Sequence, residues 1–215
     1  MYMGKEMRHF LDAEQTYPTD KIRLALGDSE GSSRLTVETV DNHIYFYADV
    51  DSDRCLALIR AVRETDSRLR TEHISRGLDG EPMTPIWIHV HSYGGSLFAA
   101  LSLADQLTMI KSPIYAIVEG IAASAATLIA MSCSKCYILP SSFMMVHQLS
   151  SIMWGKYEEF KDEMGLQDKL MDRLIKFYAE RTELSKKEVK KMLKRDFWMD
   201  AEECVEHGFA DKILR

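Results

Sequence analysis

The sequence predicts an α/β fold of packed layers with mostly parallel strands. Short β-branched and aromatic runs recur at 44–50, 86–90, 114–119, 136–139 and 143–147. Between most of them lie stretches whose apolar residues return at helical spacing, and a helical crossover returns the chain to a parallel strand. Ligands and reacting groups in such folds collect at the carboxyl ends of the strands.

Residues 1–35 are polar, broken by Pro18 and by the Gly- and Ser-rich run at 27–33, and read as an N-terminal arm or flexible extension. A single domain is expected over 36–215. After the first strand, Asp51 or Ser52 caps a helix carrying Leu56, Ile59 and Val62, and a polar loop with Gly77, Gly80 and Pro82 fills 71–84. The strand at 86–90 runs into the turn Ser92-Tyr93-Gly94-Gly95-Ser96. Leu97, Leu101, Ala104, Leu107 and Ile110 then mark a helix that ends before Pro113. Gly120 is expected to stop the strand at 114–119. The small and apolar residues of 122–131 suit a helix buried on all sides. Two strands follow, the second delivering His147 at its end. A long amphipathic helix over about 155–181 has Phe160, Met164, Leu170, Leu174 and Tyr178 roughly on one stripe, and it is longer than a compact core of this size needs. Ser185 with Glu188, and Asp200 with Glu203, open two short helices, the latter stopped by Gly208 before a last strand within 210–214.

Composition narrows the function. With 46% hydrophobic and 28% charged residues in 215, the chain has the make-up of a soluble globular domain, and a net charge of −6 argues against an electrostatic grip on nucleic acid. No apolar stretch reaches the ~20 residues that cross a bilayer, and no apolar signal core follows the amino terminus, so a cytoplasmic location is expected with no membrane partner. The four cysteines read as reduced thiols. Cys133 and Cys136 have C-x-x-C spacing but no second pair, and His89 and His91 share one strand face without a third ligand at suitable spacing, so neither a metal nor another cofactor is expected. The absence of G-x-G-x-x-G and of a P-loop disfavours nucleotide binding. Met144, Met145, Met164 and Met171 lie in apolar runs and are expected to pack.

Three polar features sit where strands end: Gly94-Gly95, Ser124 and His147. Asp196 completes a set. A serine hydroxyl needs an imidazole to take its proton, and a carboxylate on the other ring nitrogen fixes the tautomer, so Ser124, His147 and Asp196 are candidate nucleophile, base and orienting acid. The oxyanion needs amide donors. Ala125, at a helix start, and Gly95, without a side chain, are the candidates. Taken singly, each of these residues has an ordinary role as a cap, a turn or a surface group.

Taken together they resemble a family. S-Y-G-G-S at 92–96, G-I-A-A-S-A-A at 120–126, M-V-H-Q at 145–148, E-R-T at 180–182 and R-D-F-W-M-D-A-E-E-C-V-E-H-G-F-A-D at 195–211 are similar, in order and spacing, to the segments of ClpP, the serine peptidase of the Clp system. The resemblance runs from about 86 to 214. It implies the ClpP/crotonase-type layered spiral with a protruding handle helix at about 150–181, a catalytic triad of Ser124, His147 and Asp196, and oxyanion amides at Gly95 and Ala125. It also implies stacked heptameric rings, a tetradecamer, whose chamber hydrolyses unfolded polypeptides supplied by an AAA+ unfoldase of the ClpX or ClpA type. The alternatives are a catalytically silent ClpP-like ring subunit that assembles with an active paralogue, and an acyl-CoA enzyme of the crotonase type, which needs no serine nucleophile. The sequence departs from the family at Tyr93, where proline is usual, at His91, where asparagine is common, at Ala125, and in the stretch after His147, which lacks a proline and paired glycines. Lys194 stands where many relatives carry an acid that pairs across rings with the following arginine, here Arg195, and like charges cannot form that link.

Overall fold

The computed structural model describes residues 37–78 and 80–215, so the arm expected over 1–35 lies outside the described residues. The first strand pair is β1 (Val37–Val40) and β2 (His43–Tyr47), antiparallel. Helix α1 (Ser52–Ser75) follows, capped by Asp51, whose side chain accepts from the Arg54 amide. Then come β3 (Ile86–Ser92), α2 (Leu97–Leu107), β4 (Ile114–Ala123) and α3 (Ala125–Met131). Strands β5 (Lys135–Ile138) and β6 (Phe143–Val146) lead to the long helix α4 (Tyr157–Arg181). The chain closes with α5 (Lys186–Met192), β7 (Phe197–Met199), α6 (Ala201–Glu206) and β8 (Lys212–Ile213).

The strands form one sheet in the order β1-β2-β3-β4-β5-β8, with β6 paired to β4 and β7 to β6. Among the described residues every strand pair apart from β1–β2 and β6–β7 is parallel, as helical crossovers require. One face of β2 to β4 supplies Ile44, Phe46, Ile86, Ile88, Val90 and Val118 to a core shared with Leu58, Ile59 and Val62 of α1 and Leu103 of α2.

Three expectations about boundaries need correction. Helix α1 runs on to Ser75 through residues expected to be loop. Its last turns are polar because they face solvent, and Arg68 pairs with Glu72 one turn on. Gly77, at φ +67°, ends the helix in a Schellman turn, with the Gly77 amide donating to Ile74 O and the Leu78 amide to His73 O. Strand β4 does not stop at Gly120 but continues to Ala123, so the buried helix begins only at Ala125. The pairing β6–β7 places Phe197–Met199 in a strand that three residues are too few to announce.

Gly120 is a bend rather than a stop. It takes φ +77°, and across it the register to β3 slips, from Val90 opposite Val118 to Ser92 opposite Ala122. A side chain there would meet the His91 ring at 2.8 Å, and that ring is held by a 2.7 Å contact from its Nδ1 to the Glu119 carbonyl. Gly120→Ala is therefore expected to lower stability by about 1–3 kcal/mol. This should appear as a lower urea midpoint at unchanged slope, and an unmoved midpoint would mean that the bend accepts a side chain.

Candidate active site

Ser124 lies between the end of β4 and the start of α3, with φ 54° and ψ −124°. A non-glycine residue with positive φ is strained, and here its backbone is held on both sides. Its amide donates to Met145 O of β6 (2.7 Å), and its carbonyl accepts from the Thr127 amide (3.0 Å) and the Thr127 hydroxyl (2.6 Å). The Thr127 hydroxyl proton being used there, the Tyr178 hydroxyl donates to Thr127 Oγ1 across 2.6 Å. Burial raises the Tyr178 phenol pKa and keeps that proton in place. Thus α4 is tied by its inner half to the turn that presents Ser124.

The glycine turn after β3 fits against the same corner. A Cβ at Gly94 would lie 2.6 Å from Ala123 O and 2.8 Å from Ser124 Cβ, so only glycine, at φ +98°, lets the two turns touch. Next to it, the Val50 amide donates to Gly94 O and the Ser96 amide to Val50 O, each at 2.7 Å, which leaves the Gly95 amide out of that bridge. Ala125, as the first residue of α3, has no intrahelical acceptor for its N–H. The turn contact thus sets Gly94 against Ser124 and the Ala125 amide, with Gly95 the next residue along the turn.

His147 follows β6, which runs parallel to the last residues of β4. Its Nε2 lies 2.8 Å from Ser124 Oγ. In the antiparallel β6–β7 ladder Val146 faces Phe197, so one step further His147 faces Asp196. Their closest approach, Nδ1 to Oδ1, is 3.9 Å, too long for a hydrogen bond. The imidazole side chain is 13% exposed and the carboxylate 39%. Burial pulls the His147 pKa below its ordinary 6.5, and the Asp196 charge opposes this in part. With its proton on Nδ1, directed towards Asp196, the neutral ring leaves Nε2 free to accept the serine proton.

Several other titratable groups are committed elsewhere. His89 contacts His43 Nδ1 through its Nε2 (2.9 Å) and Glu119 Oε1 through its Nδ1 (2.6 Å), and the Tyr47 hydroxyl donates to the other Glu119 oxygen. The four cysteines are free thiols; burial raises the Cys133 pKa to about 12 and that of Cys136 well above its ordinary value. Sequence reasoning passed over Thr127, although a hydroxyl inside the otherwise apolar Ala-Ala-Thr-Leu-Ile-Ala-Met is a buried group that must find partners.

The Clp protease family profile matches residues 39–215. The chain is 35% identical over 133 residues to the ATP-dependent Clp protease proteolytic subunit 2 of Treponema denticola, a span covering 61% of this chain and 66% of that one. It is 30% identical over 200 residues to the ATP-dependent Clp protease proteolytic subunit 1 of Protochlamydia amoebophila, 91% of each chain. A ClpP1 mutant from Listeria monocytogenes shares the fold at a TM-score of 0.69 and 21% identity, over 81% of this chain and 92% of that structure. The profile match over most of the chain and the fold it shares place this protein in the Clp protease family, with the ClpP-type α/β architecture.

Proposed function

We propose that this protein is a serine endopeptidase of the Clp type, acting on unfolded polypeptides through an acyl-enzyme on Ser124. The observation that carries the reading is the 2.8 Å contact between Ser124 Oγ and His147 Nε2. As Oγ attacks the peptide carbonyl, its proton passes to Nε2, and the imidazolium then protonates the leaving amine. Asp196 stabilises that imidazolium through Nδ1–H once the 3.9 Å gap closes by about 1 Å to hydrogen-bond length. The amides of Gly95 and Ala125 are assigned to the oxyanion, where loss of one such donor typically costs ~2.7–4 kcal/mol. Water, deprotonated by the same imidazole, releases the acyl group. No step calls for a metal or an organic cofactor.

Homo-oligomeric rings, stacked face to face and fed by an AAA+ unfoldase, belong to the same proposal. The outer half of α4 supports it, because Tyr157, Phe160, Met164 and Leu166 are exposed there while the buried residues, Leu174, Ile175, Phe177 and Tyr178, are confined to the inner half. Among the described residues no helix is long and apolar enough to cross a membrane.

The long third contact favours a second reading, a ring subunit that is silent by itself and works beside an active paralogue. Peptidase assays on the chain alone and mixed with a paralogue separate the two. In the leading reading, Ser124→Ala abolishes fluorophosphonate labelling and lowers peptidase activity by about 10³-fold or more while the fold persists. A folded, assembled protein that never labels would sink it.

The pH profile supplies another check. The base must be neutral, and burial lowers its pKa, so kcat/KM should fall with decreasing pH around a midpoint below 6.5. Asp196→Asn removes the charge that raises this pKa. The limb should move to still lower pH as kcat drops by about 10²- to 10⁴-fold. A limb that moves upward would exclude Asp196 as the partner of His147.

A further inference from the structure

Residues 186–195 carry Lys186, Lys187, Lys190, Lys191, Lys194 and Arg195 against one carboxylate, Glu188, in a chain whose net charge is −6. Val189 and Leu193 turn inward and are buried, and all six cations are exposed. The Glu188 carboxylate is already held by the Ser185 amide (2.8 Å) and hydroxyl (2.6 Å) as part of the helix cap. Elsewhere the helices balance their charges internally, as in Arg68–Glu72, Lys161–Glu158 and Lys176–Glu180. None of the six cations forms an ion pair with another described residue. Four of the lysines, 187, 190, 191 and 194, line a shallow groove with Ser185 and Glu188.

Lys194 joins that groove to the chain segment that carries Asp196. Lys194 is two residues from Asp196, so their Cα atoms are at most about 7 Å apart. We infer that this lysine face binds acidic stretches of the polypeptide being cleaved and gives the adjacent centre a preference for substrates rich in Asp and Glu. The preference rests on the peptidase reading, but the docking does not. Five of the six cations are lysines, point charges that lack the planar fork suited to phosphate, and no aromatic residue lies within 185–195 for a base to stack on. Carboxylates of an extended peptide are the anions this surface fits, with nucleic acid the excluded competitor.

The test uses the full chain as Ser124→Ala, so that peptide is bound and not consumed. Fluorescein-labelled ten-residue peptides, one rich in Asp and Glu and one in Ser and Gln, are titrated by anisotropy. At about 50 mM salt the acidic peptide should bind roughly 10-fold tighter, and at about 500 mM the two should agree within about 2-fold. Adding Lys187→Gln, Lys190→Gln, Lys191→Gln and Lys194→Gln should erase the difference at low salt, with the melting temperature recorded to establish folding. In the protein with Ser124 intact, the ratio of kcat/KM for substrates with acidic and neutral flanks should fall towards one on the same four substitutions. Equal affinity for both peptides overturns the inference. So does tighter binding of a single-stranded oligonucleotide of equal charge, or a change of particle size on sedimentation with peptide selectivity intact, which would make the face a contact between copies. Failure of the peptidase reading shows separately, as absent fluorophosphonate labelling with the anisotropy result still readable.

Discussion

Strand β4 pairs with β5 over Tyr115–Val118 and with β6 over Ile121–Ala123, and between these stretches stands Gly120 in a left-handed conformation. A parallel strand cannot keep two neighbours on one edge without changing direction, and the glycine is where it changes. Because β4 swings, β6 enters beside its last three residues, and the two strands end together. That coincidence brings His147 to Ser124 at 2.8 Å. A regular β4 would leave β5 as its neighbour throughout and the imidazole with no strand to carry it there.

The nucleophile turn then has to be held in an unfavourable shape. A serine with positive φ costs on the order of 1–3 kcal/mol. Three hydrogen bonds offset it, from the Ser124 amide to Met145 O and from the Thr127 amide and hydroxyl to Ser124 O, each contributing about 0.5–1.5 kcal/mol net. Since Thr127 also accepts from Tyr178, the shape of this turn depends on where α4 sits. The helix whose outer half offers apolar side chains to other surfaces therefore reaches, by its inner half, the backbone of the residue proposed to react.

Much of this was legible locally. The apolar run that stops at His147 marks a strand end, and the order of the polar segments matched one family's. What escaped depends on partners distant in the chain. Gly120 reads as a terminator until β6 is there to pair with the residues beyond it. The end of α1 reads as loop because its exposed residues are polar. The Thr127–Tyr178 contact spans 51 residues and the His43–His89 contact 46, separations over which no spacing rule operates. Strand β7 is three residues long and recognisable only from the ladder it completes.

The same reasoning accounts for the unequal reach of the three candidate side chains. Ser124 and His147 stand at the ends of parallel strands whose flanking residues, Ala122, Ala123, Met144, Met145 and Val146, are buried, so their separation is fixed by packed backbone. Asp196 stands before a short strand that, among the described residues, pairs with β6 alone, at an exposed edge. Two groups are positioned by the core and the third by a rim, so a shift of about 1 Å that the core would resist is inexpensive at β7. The 3.9 Å contact is the consequence of that arrangement, with the least constrained strand carrying the group that has farthest to come.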